Sequence, residues 1–358
     1  MNKKIISLLV LMLCFNILPN NKISAQYLDF IANPQWEYYS TNVLSAVSAG
    51  KGNTGVASSG DAGLIYLNPS TLNIGKKVQI NICYNLKSNS AEFLNQNFFA
   101  LSIAGAYRLN NYLQIGFAYQ NDYSYTRKFH GATVGSYPEN FSFESHSLRI
   151  PIVYNLDMLR LGLNINLMNL NSDLGGFNGS LWKIVPEVGM IVTPVPEFSI
   201  GLSFYPGFTG DIKYTNKYSE YNNFINYVKF PNRIKAGTEI RLYDNKLKLS
   251  FDYHHANTSS IEYLKDQNNY HIGLDYSINE NWNFRCGIFT IFNYIDKQYL
   301  SYLTYYRDIS YSDLYFATVG TTFKYENYSF NLGIMDNIVH NSQNISYFVI
   351  NFGAGYEF

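Results

Sequence analysis

Phe198, Ile200, Leu202 and Phe204 alternate with Ser199, Gly201 and Ser203, and the same period of two returns along most of the chain. A β-strand sends successive side chains to opposite faces, so each such segment has one apolar face and one small or polar face. About fourteen stretches read this way: 76–87, 98–108, 111–125, 143–157, 159–170, 182–193, 196–206, 227–242, 246–256, 269–278, 281–292, 313–325, 328–335 and 346–358. Asn110-Asn111, Asp244-Asn245 and Asn279-Glu280-Asn281 make short turns, with residues that tolerate positive φ. Long connections at 126–142, 207–226 and 293–312 alternate with them. An even strand number, short turns at one end and long loops at the other are marks of an outer-membrane barrel. The predicted fold is all-β, a transmembrane β-barrel of about 14 antiparallel strands.

Parity then assigns faces. Lys248, Ser250 and Asp252 share the lumen side of one strand, and Arg233, Lys235, Glu239 and Arg241 that of another. Each Arg or Lys facing lipid at the midplane would cost about 2 to 4 kcal/mol, which fixes the charged face as the inner one. Pro151 and Pro186 fall inside strand-like stretches, where a missing N–H marks a bend or local gap. After cleavage of a leader, two of the three cysteines are left, Cys83 facing inward and Cys286 outward. Two thiols on opposite faces of one wall cannot form a disulfide.

Composition points the same way. Aromatic residues make up 17% of the chain, with 33 Tyr and 25 Phe, while only 15% is charged. Tyrosine, with an apolar ring and a wet hydroxyl, suits the girdles at the two membrane interfaces. A soluble β-sandwich or propeller also alternates, but its buried faces need fewer aromatic strand ends. The formal net charge is zero, which gives no basic field for nucleic acid. Lys3 and Lys4 before the apolar run Ile5 to Leu13 predict a secretory signal peptide over 1–25. Leu13 stands where a lipoprotein signal at Cys14 would want a small residue. The expected division is a signal peptide at 1–25, an N-terminal hatch or plug segment at 26–75 and a barrel at 76–358.

Residues 26–75 lack clean alternation and are rich in small residues. Gly50, Gly52 and Gly55 have dinucleotide-binding spacing, but no βαβ unit follows and Asp61 comes too early for the ribose acid. Ser250, Asp252 and His254 share a strand face, yet Asp would stand between nucleophile and base, so no catalytic group is assigned. No metal site and no cofactor are expected, because His254 and His255 project to opposite faces.

The run from Ala49 through Gly50, Gly52, Gly55, Asp61, Tyr66, Asn68 and Pro69 to Leu72 resembles the opening of the FadL and TodX family of outer-membrane transporters. Ser70-Thr71 stands where that family has Ala-Gly, and Phe230-Pro231-Asn232-Arg233 resembles its proline-led strand start. The resemblance implies a fourteen-stranded barrel in the bacterial outer membrane, plugged by this hatch. It also implies passive uptake of small hydrophobic molecules, released through a gap in the wall at a kinked strand. Tyr218, Tyr221, Phe224 and Tyr227 are the candidate loop for capturing a ligand or partner. An alternative is open. PorV and PorQ of type IX secretion resemble the same family, and the Tyr- and Asn-rich composition resembles envelope proteins of the Bacteroidota. On that reading the barrel is a non-enzymatic subunit that binds a secretion-complex protein. Phe358 closes a strand that resembles the signal read by the barrel assembly machinery, and outer-membrane lipid is the expected surround. Asn68-Pro69 is expected to end the hatch and aim the chain into the first strand.

Overall fold

The computed structural model describes residues 44–89, 98–128, 140–174, 177–216, 224–260, 264–292, 313–337 and 347–358. The predicted signal peptide, Tyr218, Tyr221 and the connection 293–312 lie outside them.

Sixteen strand segments close into one antiparallel ring. They are β1 Val78–Asn89, β2 Phe98–Arg108, β3 Leu113–Lys128, β4 Asn140–Leu156, β5 Leu159–Leu174, β6 Phe177–Val195, β7 Phe198–Tyr205 and β8 Phe208–Asn216. The second half holds β9 Phe224–Phe230, β10 Arg233–Leu242, β11 Leu247–Ala256, β12 Gln267–Ser277, β13 Trp282–Ile291, β14 Leu314–Tyr325, β15 Tyr328–Asn337 and β16 Tyr347–Glu357. β7 and β8 are two parts of one crossing interrupted at Pro206-Gly207, and β9 and β10 of the next, interrupted at Pro231-Asn232. The wall is thus a closed barrel of 14 crossings. β1 pairs with β16, and Val78 and Phe358 exchange backbone hydrogen bonds at 2.8 and 3.1 Å to finish the ring.

Closure of the ring leaves no terminal edge strand, as a bilayer demands of a β wall. Ile82, Phe117, Leu202, Phe251, Ile288, Phe330 and Phe352 stand exposed on the outer face. Such a surface on a closed barrel is the lipid-facing wall of an outer-membrane protein. Near the short turns Tyr112 and Tyr154 stack, and Tyr328 lies tilted against Tyr356, an aromatic girdle at that end. Cys83 is buried on the inner side and Cys286 sits on the outer side, both as free thiols.

One expectation about connections is corrected. The segment 207–226 is not a long loop: Phe208–Asn216 and Phe224–Phe230 pair as a hairpin from Phe208↔Phe230 to Tyr214↔Phe224. Phe224 and Tyr227 are therefore strand residues. The polar, exposed Asp211 and Lys213 obscured the pattern, because this hairpin does not present an apolar face to lipid.

Candidate functional site

The segment before β1 lies inside the barrel. Its short helix α1 (Ala46–Gly50) is capped by Ser45, whose hydroxyl accepts from the Ser48 N–H at 3.2 Å. Asp61 caps a 3-10 turn over 62–66, accepting from the Gly63 N–H at 2.8 Å and from the Ser45 hydroxyl. Asn68 caps a second turn, Pro69–Thr71. Proline is tolerated at a first helical position because its missing N–H would have no partner there, and it holds Asn68 extended at φ −158°. The pair caps the last turn before the wall, and eight residues separate Pro69 from the start of β1, so it does not lead directly into that strand. Asn68 is fully buried: its amide donates to the carbonyls of Val56 at 2.8 Å and Met190 at 3.1 Å, and its side-chain oxygen accepts from the Ser70 N–H.

Inward-facing glycines of the wall receive this segment. A Cβ on Gly320 would lie 2.7 Å from the Cα of Gly50, and one on Gly287 would lie 2.4 Å from the Gly52 nitrogen. Gly162 meets Ser70 and Gly189 meets Asn68 in the same way. These glycines stand opposite one another across the ladder, as Gly162↔Gly189, Gly201↔Gly237, Gly273↔Gly287 and Gly320↔Gly333. The sequence reading assigned tight packing to the hatch glycines but missed this belt. Its signal was available: single glycines on the small-residue parity in the middle of otherwise bulky strands.

Polar wall residues complete the seat. Asp252 accepts from the N–H groups of Gly55 and Val56 at 2.7 and 3.0 Å, Thr318 from Gly52 at 2.7 Å, and Gln79 from Ala62 at 2.7 Å. Lys235 donates to the Tyr66 carbonyl at 2.6 Å. Glu239 accepts from the Ser58 hydroxyl and pairs with Arg241 at 2.8 Å and Lys51 at 3.9 Å. The Tyr66 hydroxyl meets Ser48 at 3.0 Å and also donates to Asn53, and burial pushes its phenol above the usual range. The bonds from Gly55 and Val56 are both accepted by Oδ2 of Asp252, which commits that oxygen to the hatch backbone.

Among the described residues, the largest interruption of the wall lies between β6 and β7–β8. β6 pairs with β7 from Val195 to Val188, and with β8 only from Ser180 to Phe177. Residues 181–187 pair with β5 on one side, yet have no ladder partner among residues 205–212 on the other. Pro186 lies in this break and Pro206 opposite it, neither able to donate to a ladder. Trp182 and Ile184 are each 69% exposed on its outer side. Val185, Ile212, Tyr214, Val228 and Phe230 are buried on its inner side, with Leu181 and Phe208 against them. A lesser interruption occurs where the β3–β4 ladder skips Gly116-Phe117 and Ile150-Pro151.

Beside the large break, a cavity of about 80 Å³ lies over the hatch, lined by Tyr66, Asp122, Arg149, Glu187, Tyr205 and Lys235 among others. Arg149 and Asp122 pair across it at 2.9 Å. Farther round the lumen the rings of His254, His271, Phe289 and Phe316 stack from strand to strand, with centroids 4.1, 5.3 and 4.6 Å apart. Among the described residues, no group of three or more His, Cys, Asp or Glu could hold a metal ion.

The closed 14-strand wall has solved counterparts. The CymD monoaromatic hydrocarbon channel superposes with a TM-score of 0.69 over 89% of this chain and 98% of its own, at 14% identity. The chain has the FadL-type transporter fold. A FadL homologue of Pseudomonas aeruginosa matches with a TM-score of 0.67, at 11% identity, over 88% of this chain and 100% of its own. The Pseudomonas putida toluene transporter TodX matches at 0.62, with 12% identity, over 88% and 98%. No protein-family model and no curated protein sequence matches the chain. The likeness is therefore one of backbone architecture, with 11 to 14% of residues identical over the aligned chains.

Proposed function

We propose that the barrel is a passive channel for small hydrophobic molecules, in which the hatch blocks the straight path and the break between β6 and β7–β8 is the side exit into the membrane. The observation that carries this reading is the missing ladder at 181–187, which has apolar side chains on both its faces. A hydrocarbon crossing there moves from Val185, Ile212 and Phe230 to Trp182, Ile184 and lipid without entering water, which removes the main free-energy barrier to its transfer. The hatch favours this route over an axial one, because it is seated on backbone-to-backbone contacts and buried hydrogen bonds. Structural neighbours described as a hydrocarbon channel and a toluene transporter support the solute class.

The test is to sew the break shut. A Cβ built on Gly210 lies 2.5 Å from the Leu181 side chain, so Leu181→Cys with Gly210→Cys places two thiols across it. In a Cys286→Ala background, oxidised cells should take up labelled toluene about tenfold more slowly, with recovery after reduction, a change equivalent to ~1.4 kcal/mol in barrier. Unchanged uptake with the bond formed would sink the side exit. The PorV/PorQ-like alternative, a barrel that serves a secretion complex, requires no such opening and predicts that unchanged result together with loss of secretion in a deletion strain.

A further inference from the structure

A second recess lies at the opposite end of the lumen. It has a volume of about 660 Å³ and is lined by residues of the hatch (Ser59, Asn73), of the short turns (Asn111, Asp157) and of the inner wall, among them Arg108, Arg160 and Arg241. The short turns mark this end as the periplasmic one. The hatch closes its roof, where Gln114 accepts from the Ile74 N–H at 3.1 Å and donates to Asn73 at 3.2 Å.

The three arginines are unequal. Arg241 is occupied, donating to the Pro196 carbonyl and the Ser199 hydroxyl at 2.9 Å and paired with Glu239 at 2.8 Å. Arg160 is only 8% exposed, and its buried Nη1 has no hydrogen-bond partner among the described residues. Arg108, half-buried at the rim, has no ion pair among them either. Glu239 favours the Arg160 charge from a distance but forms its ion pairs with Arg241 and Lys51 and accepts from the Ser58 hydroxyl, and Asp157 sits exposed on the turn. A guanidinium is a permanent cation whose planar fork matches the two oxygens of a carboxylate or phosphate. Burying one without an acceptor is costly, and an oxyanion in the recess removes that cost.

We infer that this periplasmic recess is a binding site for a small oxyanion, a carboxylate or a phosphate monoester, held by Arg160 and drawn in by Arg108. The site is separate from the proposed side exit, with the hatch between them, and it stands whether or not hydrocarbon passes through the wall. It gives the barrel a second ligand, presented from the periplasm, in contact with hatch residues Ser59 and Asn73. An anion there braces the hatch from below.

The test uses the full barrel in non-ionic detergent, titrated calorimetrically with inorganic phosphate, with acetate and with short-chain phosphatidylglycerol. Arg160→Gln should weaken phosphate binding about tenfold, and Arg108→Gln, which leaves the buried wall untouched, by a smaller factor. Lys229→Gln, at the opposite end, should change nothing. Binding of phosphate or acetate identifies a free anion as the source. Binding of the lipid alone, with the same loss in Arg160→Gln, identifies a headgroup. The inference is overturned if no probe binds, or if binding is indifferent to both arginine substitutions.

Discussion

The wall across β12–β15 and the wall between β6 and β8 are built from the same alternating sequence and do opposite things. In the first, Gly273, Gly287, Gly320 and Gly333 present bare backbone to the hatch, the ladder runs without interruption and the inner segment sits against it at van der Waals distance. In the second, Pro186 and Pro206 replace ladder donors and seven residues of β6 lose their partners on one side. Removing a side chain lets a wall grip what is inside it. Removing an N–H lets the wall part. The same barrel uses the two backbone specialists at separate places, one where the wall holds the inner segment and one where its ladder parts.

The contrast can be broken most severely at the glycines. Gly320→Leu drives a branched side chain into the Cα of Gly50, with backbone on both sides and no room for relaxation. Overpacking of this kind costs about 3 kcal/mol or more. The expected outcome is displacement of the hatch, read as cells newly sensitive to large antibiotics at unchanged barrel abundance. Asp252→Ala comes next. It strands the Gly55 and Val56 N–H groups, each charge-assisted bond being worth about 1.5 to 3 kcal/mol, and should lower the urea midpoint of the refolded barrel. Asn68→Ala loses a cap and two carbonyl contacts, for roughly 1 to 2 kcal/mol. It should raise permeability by less than Gly320→Leu does, and the two substitutions together should not add, since both act on the same seated segment. The mildest change sharpens the other side of the comparison. Pro186→Val with Pro206→Val restores two N–H donors and should stabilise the wall by about 1 kcal/mol while slowing toluene uptake. A rise in uptake would mean that the prolines hold the break narrow.

Much of this was legible because a barrel wall is a one-dimensional pattern. Phe198 to Tyr205 declares its faces residue by residue, and Arg233, Lys235, Glu239 and Arg241 could only point inward at an affordable cost. Asp61, Tyr66, Asn68 and Pro69 stood out in the sequence as a hatch-like motif; Tyr66, Asn68 and Pro69 are buried and Asp61 is half-buried. What they touch was not legible. That Asn68 meets Gly189, or that Asp252 caps Gly55, depends on the closure of a ring that brings residues more than a hundred positions apart to one level. The hairpin β8–β9 was missed for a local reason: its inner face is apolar and its outer face carries Asp211 and Lys213, the reverse of a membrane strand. The break beside it was legible in part: Pro186 and Pro151 each stand where a ladder is skipped, but a proline names a missing donor and not which neighbour withdraws or how far.

The crease at Pro206-Gly207 and Pro231-Asn232 has a consequence for how this wall can change length. Tyr205 faces Arg233 and Phe208 faces Phe230, so both strands contain the same surplus and remain in step across it. On either side the inward positions change parity, from odd numbers in β7 and β10 to even numbers in β8 and β9. Deleting one residue from each strand would restore plain alternation and leave every other pairing of the two as it is. Deleting one from a single strand would throw β8 out of step with β9 and exchange its inner and outer faces. Adding or removing the crease while both ladders stay in register therefore takes a matched change in each of the two strands.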